Sequence, residues 1–159
     1  YIKPYYNFNA NNSATVVLYT GHRRIPDTSF GQQYKNFAWQ DLTLAQRYAA
    51  SHGADTAIML NLEDNITEGP GFGVGFVFNG CVVVPKKDVL HSVTIKEVER
   101  ICNELSVPFE YTDIHANDSF KCDEMFLAST SGGVIPVSSY NSRSLTNDNI
   151  VKLLQEKYQ

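Results

Sequence analysis

Four short stretches of this 159-residue sequence carry side chains that could do chemistry. The first is Gln33-Tyr34-Lys35-Asn36-Phe37, a lysine among aromatics just ahead of a helical pattern. An amine in an apolar setting is partly discharged and becomes a usable nucleophile for a Schiff base. Taken alone, Lys35 reads as a solvated surface lysine. The second stretch is Asn65-Ile66-Thr67-Glu68-Gly69-Pro70-Gly71-Phe72, one acid in a Gly-rich turn. A carboxylate placed beside a pyridine nitrogen would keep it protonated and make the ring an electron sink. By itself Glu68 is a loop acid next to turn glycines. The third is Leu90-His91-Ser92-Val93-Thr94, where free N–H groups at a helix start and the Thr94 hydroxyl could hold an anion. A plain N-cap is the simpler account. The fourth is Ser129-Thr130-Ser131-Gly132-Gly133, three hydroxyls and two glycines that could wrap an anion with backbone N–H groups. It is also an ordinary polar turn, and it lacks the spacing of a nucleotide P-loop.

The elements that must position these stretches follow from pattern. Ala14–Thr20 is β-branched and aromatic and predicts a strand. Residues 23–34 contain Pro26 and Gly31 and predict a loop. A helix is expected over Asp41–His52, with Leu42, Ala45 and Ala49 on one face and Gly53 ending it. Thr56–Leu62 reads as a buried strand. Val74–Phe78 and Cys81–Val84 form a hairpin about Asn79-Gly80, the favoured pair for a type I′ turn, with Pro85 closing it. Thr94–Leu105 is the best-marked helix: Thr94 and Glu97 fit a capping box, and Val98, Ile101, Cys102 and Leu105 form a buried stripe. Strands are expected over Phe109–Ile114, Glu124–Ser129 and Val134–Tyr140. A last helix, Asp148–Tyr158, should turn Ile150, Val151, Leu153 and Leu154 inward. The expectation is one domain, 1–159, of mixed strands and helices.

Composition narrows the partners. The chain is 43% hydrophobic and 19% charged, with nine Tyr, nine Phe and one Trp, so it has material for a real core. Its net charge is −4 and it has no basic block, which argues against nucleic acid and anionic membrane. No apolar run reaches the roughly 18 residues of a membrane span. Cys81, Cys102 and Cys122 are odd in number and form no CxxC pair, so a reducing cytoplasmic setting is expected, without zinc or another metal. The start at Tyr1 in place of Met reads as a chain truncated at its beginning.

The order of the four stretches is specific where each alone is not. YKNFAWQDLT (34–43), NITEGPGF (65–72), VLHSVT (89–94) and CDEMFLASTSGGVIPV (122–137) resemble the large C-terminal domain of the fold-type IV pyridoxal-phosphate enzymes. Within that family the likeness is to branched-chain, D-amino-acid and (R)-selective amine aminotransferases, and it runs from about Arg23 to Leu145. The resemblance implies an α/β fold, a mixed β-pseudobarrel flanked by helices, without the family's small N-terminal domain. It implies pyridoxal 5'-phosphate as cofactor, an amino donor and a 2-oxo acid as substrates, and a homodimer. Lys35 matches the lysine that forms the Schiff base and moves the substrate proton. Glu68 matches the carboxylate on the pyridine nitrogen, and Leu90 a residue against the ring face. Val93, Thr94 and Thr130 match phosphate-binding positions. Trp39, Phe72, Ser129 and Ser131 match positions around the cofactor and substrate pocket.

The chain departs from the family pattern at three positions. A Gly usually precedes the helix-start Ile/Val-Thr and an Arg follows it; here these are Ser92 and Ile95. An Asn usually follows the glycine turn; here it is Gly73. The family's N-terminal domain supplies an arginine to the cofactor phosphate, and Arg23 and Arg24 lie in the wrong place to replace it. An aminodeoxychorismate-lyase-type reaction uses the same lysine and acid, and a non-catalytic truncated domain would keep the fold, so both stay open beside transamination.

Overall fold

The computed structural model describes residues 13–29, 31 and 33–158. Tyr1, at which the sequence starts, lies outside them. Strand β1 (Ala14–Tyr19) leads to helix α1 (Gln40–Ser51) and β2 (Thr56–Met59). The hairpin β3 (Gly73–Phe78) and β4 (Cys81–Pro85) follows, then α2 (Val93–Glu104), β5 (Phe109–Thr112) and a one-turn α3 (Ala116–Ser119). The chain closes with β6 (Glu124–Ser129), β7 (Gly133–Tyr140), a two-residue β8 (Arg143–Ser144) and α4 (Asn149–Tyr158). The strands form one mixed sheet in the order β2-β1-β7-β6-β3-β4-β5, with β8 on β7.

The central strands are buried on both faces, and the period of two explains why they read as unbroken apolar runs. Phe76, Val83, Met125, Leu127 and Ile135 face one core; Val77, Val82, Val84, Phe126 and Val134 face the other. Each such side chain contributes about 1.5–3 kcal/mol by leaving water. The second core is covered by α2, through Val98, Ile101 and Cys102, and by α4, through Val151 and Leu154. A third cluster joins Leu42, Ala45 and Ala49 of α1 to Tyr19, Ala57 and Met59. Between β3 and β4 the Asn79-Gly80 turn has φ of 48° and 82°, the left-handed pair that a type I′ turn needs.

The structure corrects three expectations. The cap of α2 is Ser92, not Thr94: the Ile95 N–H donates to Ser92 Oγ at 3.1 Å. Thr94 stands one turn position inside the helix and is buried, so the capping-box pairing with Glu97 does not form. Leu153 of α4 is exposed, because a 3.6-residue period turns Val151 and Leu154 inward together and leaves it on the flank. The cap of α4 comes from another element: buried Glu124 on β6 accepts from Ile150 N at 3.2 Å and Val151 N at 2.8 Å. No helix among the described residues is long and apolar enough to cross a membrane.

Candidate functional site

Four loops converge on one cavity of about 590 Å³. They are the β1–α1 connection with Lys35, the β2–β3 connection with Glu68, the segment entering α2, and the β6–β7 turn. Three of them are tied together away from the cavity. Asp27 N donates to Asp88 Oδ1 at 2.9 Å, Asp88 N donates to Asp27 Oδ2 at 3.2 Å, and Asn61 Nδ2 donates to Asp88 Oδ2 at 3.0 Å. This reciprocal clasp fixes the Lys35 loop against the segment that carries Leu90.

The cavity wall contains Lys35, Trp39, Glu68, Phe72, Leu90, Thr94, Ser129, Thr130 and Ser131. Of the ten residues matched to cofactor and pocket positions, only Val93 is outside it: its side chain points to solvent, 79% exposed. Val93 could contribute its backbone alone. With Ser92 occupying Ile95 N, helix geometry leaves the N–H groups of Val93 and Thr94 without an intrahelical acceptor, beside the Thr94 hydroxyl. These donors give that corner of the cavity the chemistry to hold an anion. Across from it, Ser129 Oγ accepts from Gly132 N at 3.0 Å and so shapes its own turn, while Thr130 and Ser131 stand exposed at the rim.

Of the two readings of Lys35, the structure shows the solvated one. Its side chain is exposed, in a mouth whose Tyr34 and Phe37 are also exposed. The apolar ring of side chains is present but open among the described residues.

Glu68 is buried, with both oxygens engaged. Oε1 accepts from Arg24 Nη2 at 2.7 Å and Oε2 from Leu90 N at 3.2 Å. Burial pushes the Glu68 carboxyl above the usual carboxylate range, against the lowering pull of Arg24 and the Leu90 N–H. A carboxylate oxygen has two acceptor positions, so each still has room for a donor from the cavity.

Arg24 and Asp41 are the site residues that sequence reasoning missed. Arg24 was set aside as misplaced for a phosphate. It lines the cavity at 4% exposure, at the Glu68 end, and its Nη1 also donates to Asp41 Oδ2 at 2.5 Å. The available signal was a polar residue falling on the buried stripe of α1: Asp41 stands beside Leu42, one helical turn from Ala45 and two from Ala49. A charge there requires a partner.

Comparison with known proteins identifies the fold and the family. The family profile described as "Amino-transferase class IV" matches residues 3–140. A protein of Thermotoga maritima named "Probable branched-chain-amino-acid aminotransferase" is 33% identical over 124 residues, 77% of this chain and 45% of its own length. One of the same name from Aquifex aeolicus is 32% identical over 143 residues, 86% of this chain and 46% of its own. The chain thus spans about half the length of the curated relatives it matches. Among solved structures, the branched-chain amino acid aminotransferase of Thermobaculum terrenum in its PLP form superposes with a TM-score of 0.84 at 27% identity, covering 92% of this chain and 50% of that one. The mixed sheet and its flanking helices are therefore the fold of those enzymes over the matched half, and the chain belongs to the class IV aminotransferases.

Proposed function

We propose that this chain is the cofactor-binding half of a pyridoxal-phosphate-dependent aminotransferase, acting on an amino acid or primary amine and a 2-oxo acid. The observation that carries the reading is the gathering of Lys35, Glu68, Thr94 and Thr130 into one cavity, with Glu68 buried and held by two donors. The donor set suits the cofactor: an amine for its aldehyde, a carboxylate for its ring nitrogen, and a helix start with hydroxyls for its phosphate. The cavity also lies in the size range of small-molecule sites. When bound, pyridoxal phosphate supplies an electron sink for the substrate carbon.

The chain's own residues bind, orient and move protons. Lys35 Nζ is the amine that holds the cofactor and then carries a proton to and from the substrate carbon. Glu68 keeps a proton on the ring nitrogen by accepting a hydrogen bond from it. Val93 N–H, Thr94 and Thr130 bind the phosphate. Leu90 would lie against the ring, Trp39 and Phe72 would flank it, and Ser129 and Ser131 would face the substrate. The relatives named for branched-chain amino acids support an amino acid as donor. The exposed Tyr34 and Phe37 at the mouth support closure by further polypeptide, which we read as a homodimer. Three free thiols fit a cytoplasmic setting.

The test is reconstitution of the intact protein with pyridoxal phosphate. The expected result is an absorption band of lysine-bound cofactor, absent in Lys35→Ala, together with amino transfer to a 2-oxo acid. A protein that takes up no cofactor refutes the reading.

A further inference from the structure

We propose that Asp41 is a positioning residue for the cofactor's ring nitrogen: it neutralises Arg24, so that Glu68 can hold a second cation. This rests on the assignment of Glu68 to that nitrogen given above.

Arg24, Asp41 and Glu68 are 4%, 8% and 7% exposed. The guanidinium is shared, Nη1 to Asp41 Oδ2 at 2.5 Å and Nη2 to Glu68 Oε1 at 2.7 Å. Asp41 is fixed in turn, since its Oδ1 accepts from Leu42 N at 2.8 Å in the first turn of α1, where a negative charge suits the helix. The three side chains sum to one negative charge in a dry place, and an uncompensated buried charge is costly. One cation delivered to Glu68 from the cavity brings the sum to zero.

A protonated ring nitrogen is such a cation. Removing the Asp41 charge changes the arithmetic. Arg24 and Glu68 would then form a neutral pair, and a protonated ring nitrogen would place a second positive charge on a carboxylate already matched. The nitrogen would give up its proton, and the reason for Glu68 to select a nitrogen-containing ring would go with it. A simple Glu–cofactor pair needs neither Arg24 nor Asp41. The geometry supplies both, in the order acid, base, acid, with the last acid opening on the cavity.

The experiment compares binding of pyridoxal phosphate with binding of its 1-deaza analogue, in which a ring C–H replaces the nitrogen. Both are titrated into the intact apoprotein by equilibrium dialysis, for wild type and Asp41→Asn. The preference of wild type for the nitrogen-containing ligand should fall about tenfold in Asp41→Asn, the equivalent of one pKa unit at the ring nitrogen. Affinity for the deaza analogue should stay unchanged. The resonance of a 15N-labelled ring nitrogen should move toward that of neutral pyridine. Equal loss of affinity for both ligands would show a merely structural role and overturn the inference, as would an unchanged preference. Asp41→Ser, which keeps an acceptor near Leu42 N and removes the charge, is measured in parallel with the same expectation and carries the test if Asp41→Asn does not fold. The wild-type arm isolates the underlying assignment. If wild type shows no preference between the two ligands and Glu68→Gln changes nothing, the assignment of Glu68 fails first and this inference falls with it.

Discussion

Replacing Arg24 by Met removes the guanidinium that Asp41 and Glu68 share and leaves the two carboxylates without its counter-charge. At about 4 Å and an effective dielectric near 20, each contact represents roughly 4 kcal/mol of gross attraction, most of it offset by desolvation. The net cost of deleting one partner from a buried pair is about 3–5 kcal/mol, a large part of a typical domain's stability. That cost depends on pH, with a definite sign. Burial already holds Glu68 above its ordinary range, and Arg24 is the largest downward pull on it. Without Arg24 the folded-state pKa rises further, so the folded variant binds a proton more tightly than the unfolded chain. Its penalty is therefore smallest below the usual carboxylate range. Relative to wild type it grows by up to about 1.4 kcal/mol per pH unit, per extra proton held, as pH rises from the wild-type folded value to the higher one of the variant. Urea denaturation of apoprotein followed by far-UV circular dichroism, wild type and Arg24→Met at pH 5, 6, 7 and 8, measures it directly. A difference that is flat across this range, or that shrinks as pH rises, refutes the account of the cluster.

Other outcomes test the site and core independently. Thr94→Val is isosteric and has no hydrogen bond to lose among those described, so apoprotein stability should hold within about 0.5 kcal/mol. Affinity for pyridoxal phosphate should meanwhile fall roughly 5–30-fold, the loss of one hydrogen bond to a charged group at about 1–2 kcal/mol; equal binding to both proteins would remove Thr94 from the phosphate site. In native protein at pH 8 a disulfide reagent should label Cys81 first. Burial and Glu110 raise the Cys81 thiol too, but it is half-exposed, whereas burial pushes the Cys102 thiol up to about 11, raises Cys122 and covers both side chains. Mass spectrometry showing Cys102 modified before Cys81 would contradict the packing of α2.

The strands and helices were legible because their periods are strong. Residues 81–84 and 125–128 are apolar on consecutive positions, as strands covered on both faces must be, and Val98, Ile101 and Cys102 mark one stripe. What failed was local and depends on tertiary geometry. Thr94 and Ser92 are both good caps, and only the chain's entry into α2 decides that Ser92 Oγ reaches Ile95 N. Glu124 reads as an ordinary residue of a strand start, because its partners, Ile150 and Val151, are 26 and 27 positions away. The nine cavity residues were found by resemblance in their order along the chain, since each alone has a commonplace alternative. Arg24 and Asp41 were missed because Arg24 meets Asp41 17 positions away and Glu68 44 positions away, across loops whose paths no local pattern specifies.

The three departures from the family pattern turn out to be neighbours. A Cβ built on Gly73 would lie 3.1 Å from Ile95 Cγ1, 3.4 Å from Ile95 Cδ1 and 3.9 Å from Ser92 Oγ. All three residues border a second cavity of about 520 Å³, which also meets the first at Glu68 and Leu90. Glycine at 73 is thus matched to isoleucine at 95, and the match can be measured. Gly73 does not have a positive φ, so alanine is sterically permitted there by its own backbone. Two opposed effects remain. Alanine lowers the entropy of the unfolded chain, worth about 0.4–1 kcal/mol of stability, whereas crowding a packed position costs about 1–3 kcal/mol. With Ile95 in place the crowding should win and Gly73→Ala should destabilise. In an Ile95→Ala background, itself weakened by about 2–5 kcal/mol, the space beside residue 73 is open and the same substitution should stabilise. The coupling between the two sites should therefore exceed about 0.5 kcal/mol and carry a change of sign in the effect of Gly73→Ala. Additivity within about 0.3 kcal/mol in a double-mutant cycle would mean that the two positions are independent. The departures would then be three separate substitutions rather than one repacked wall beside the anion-binding helix start.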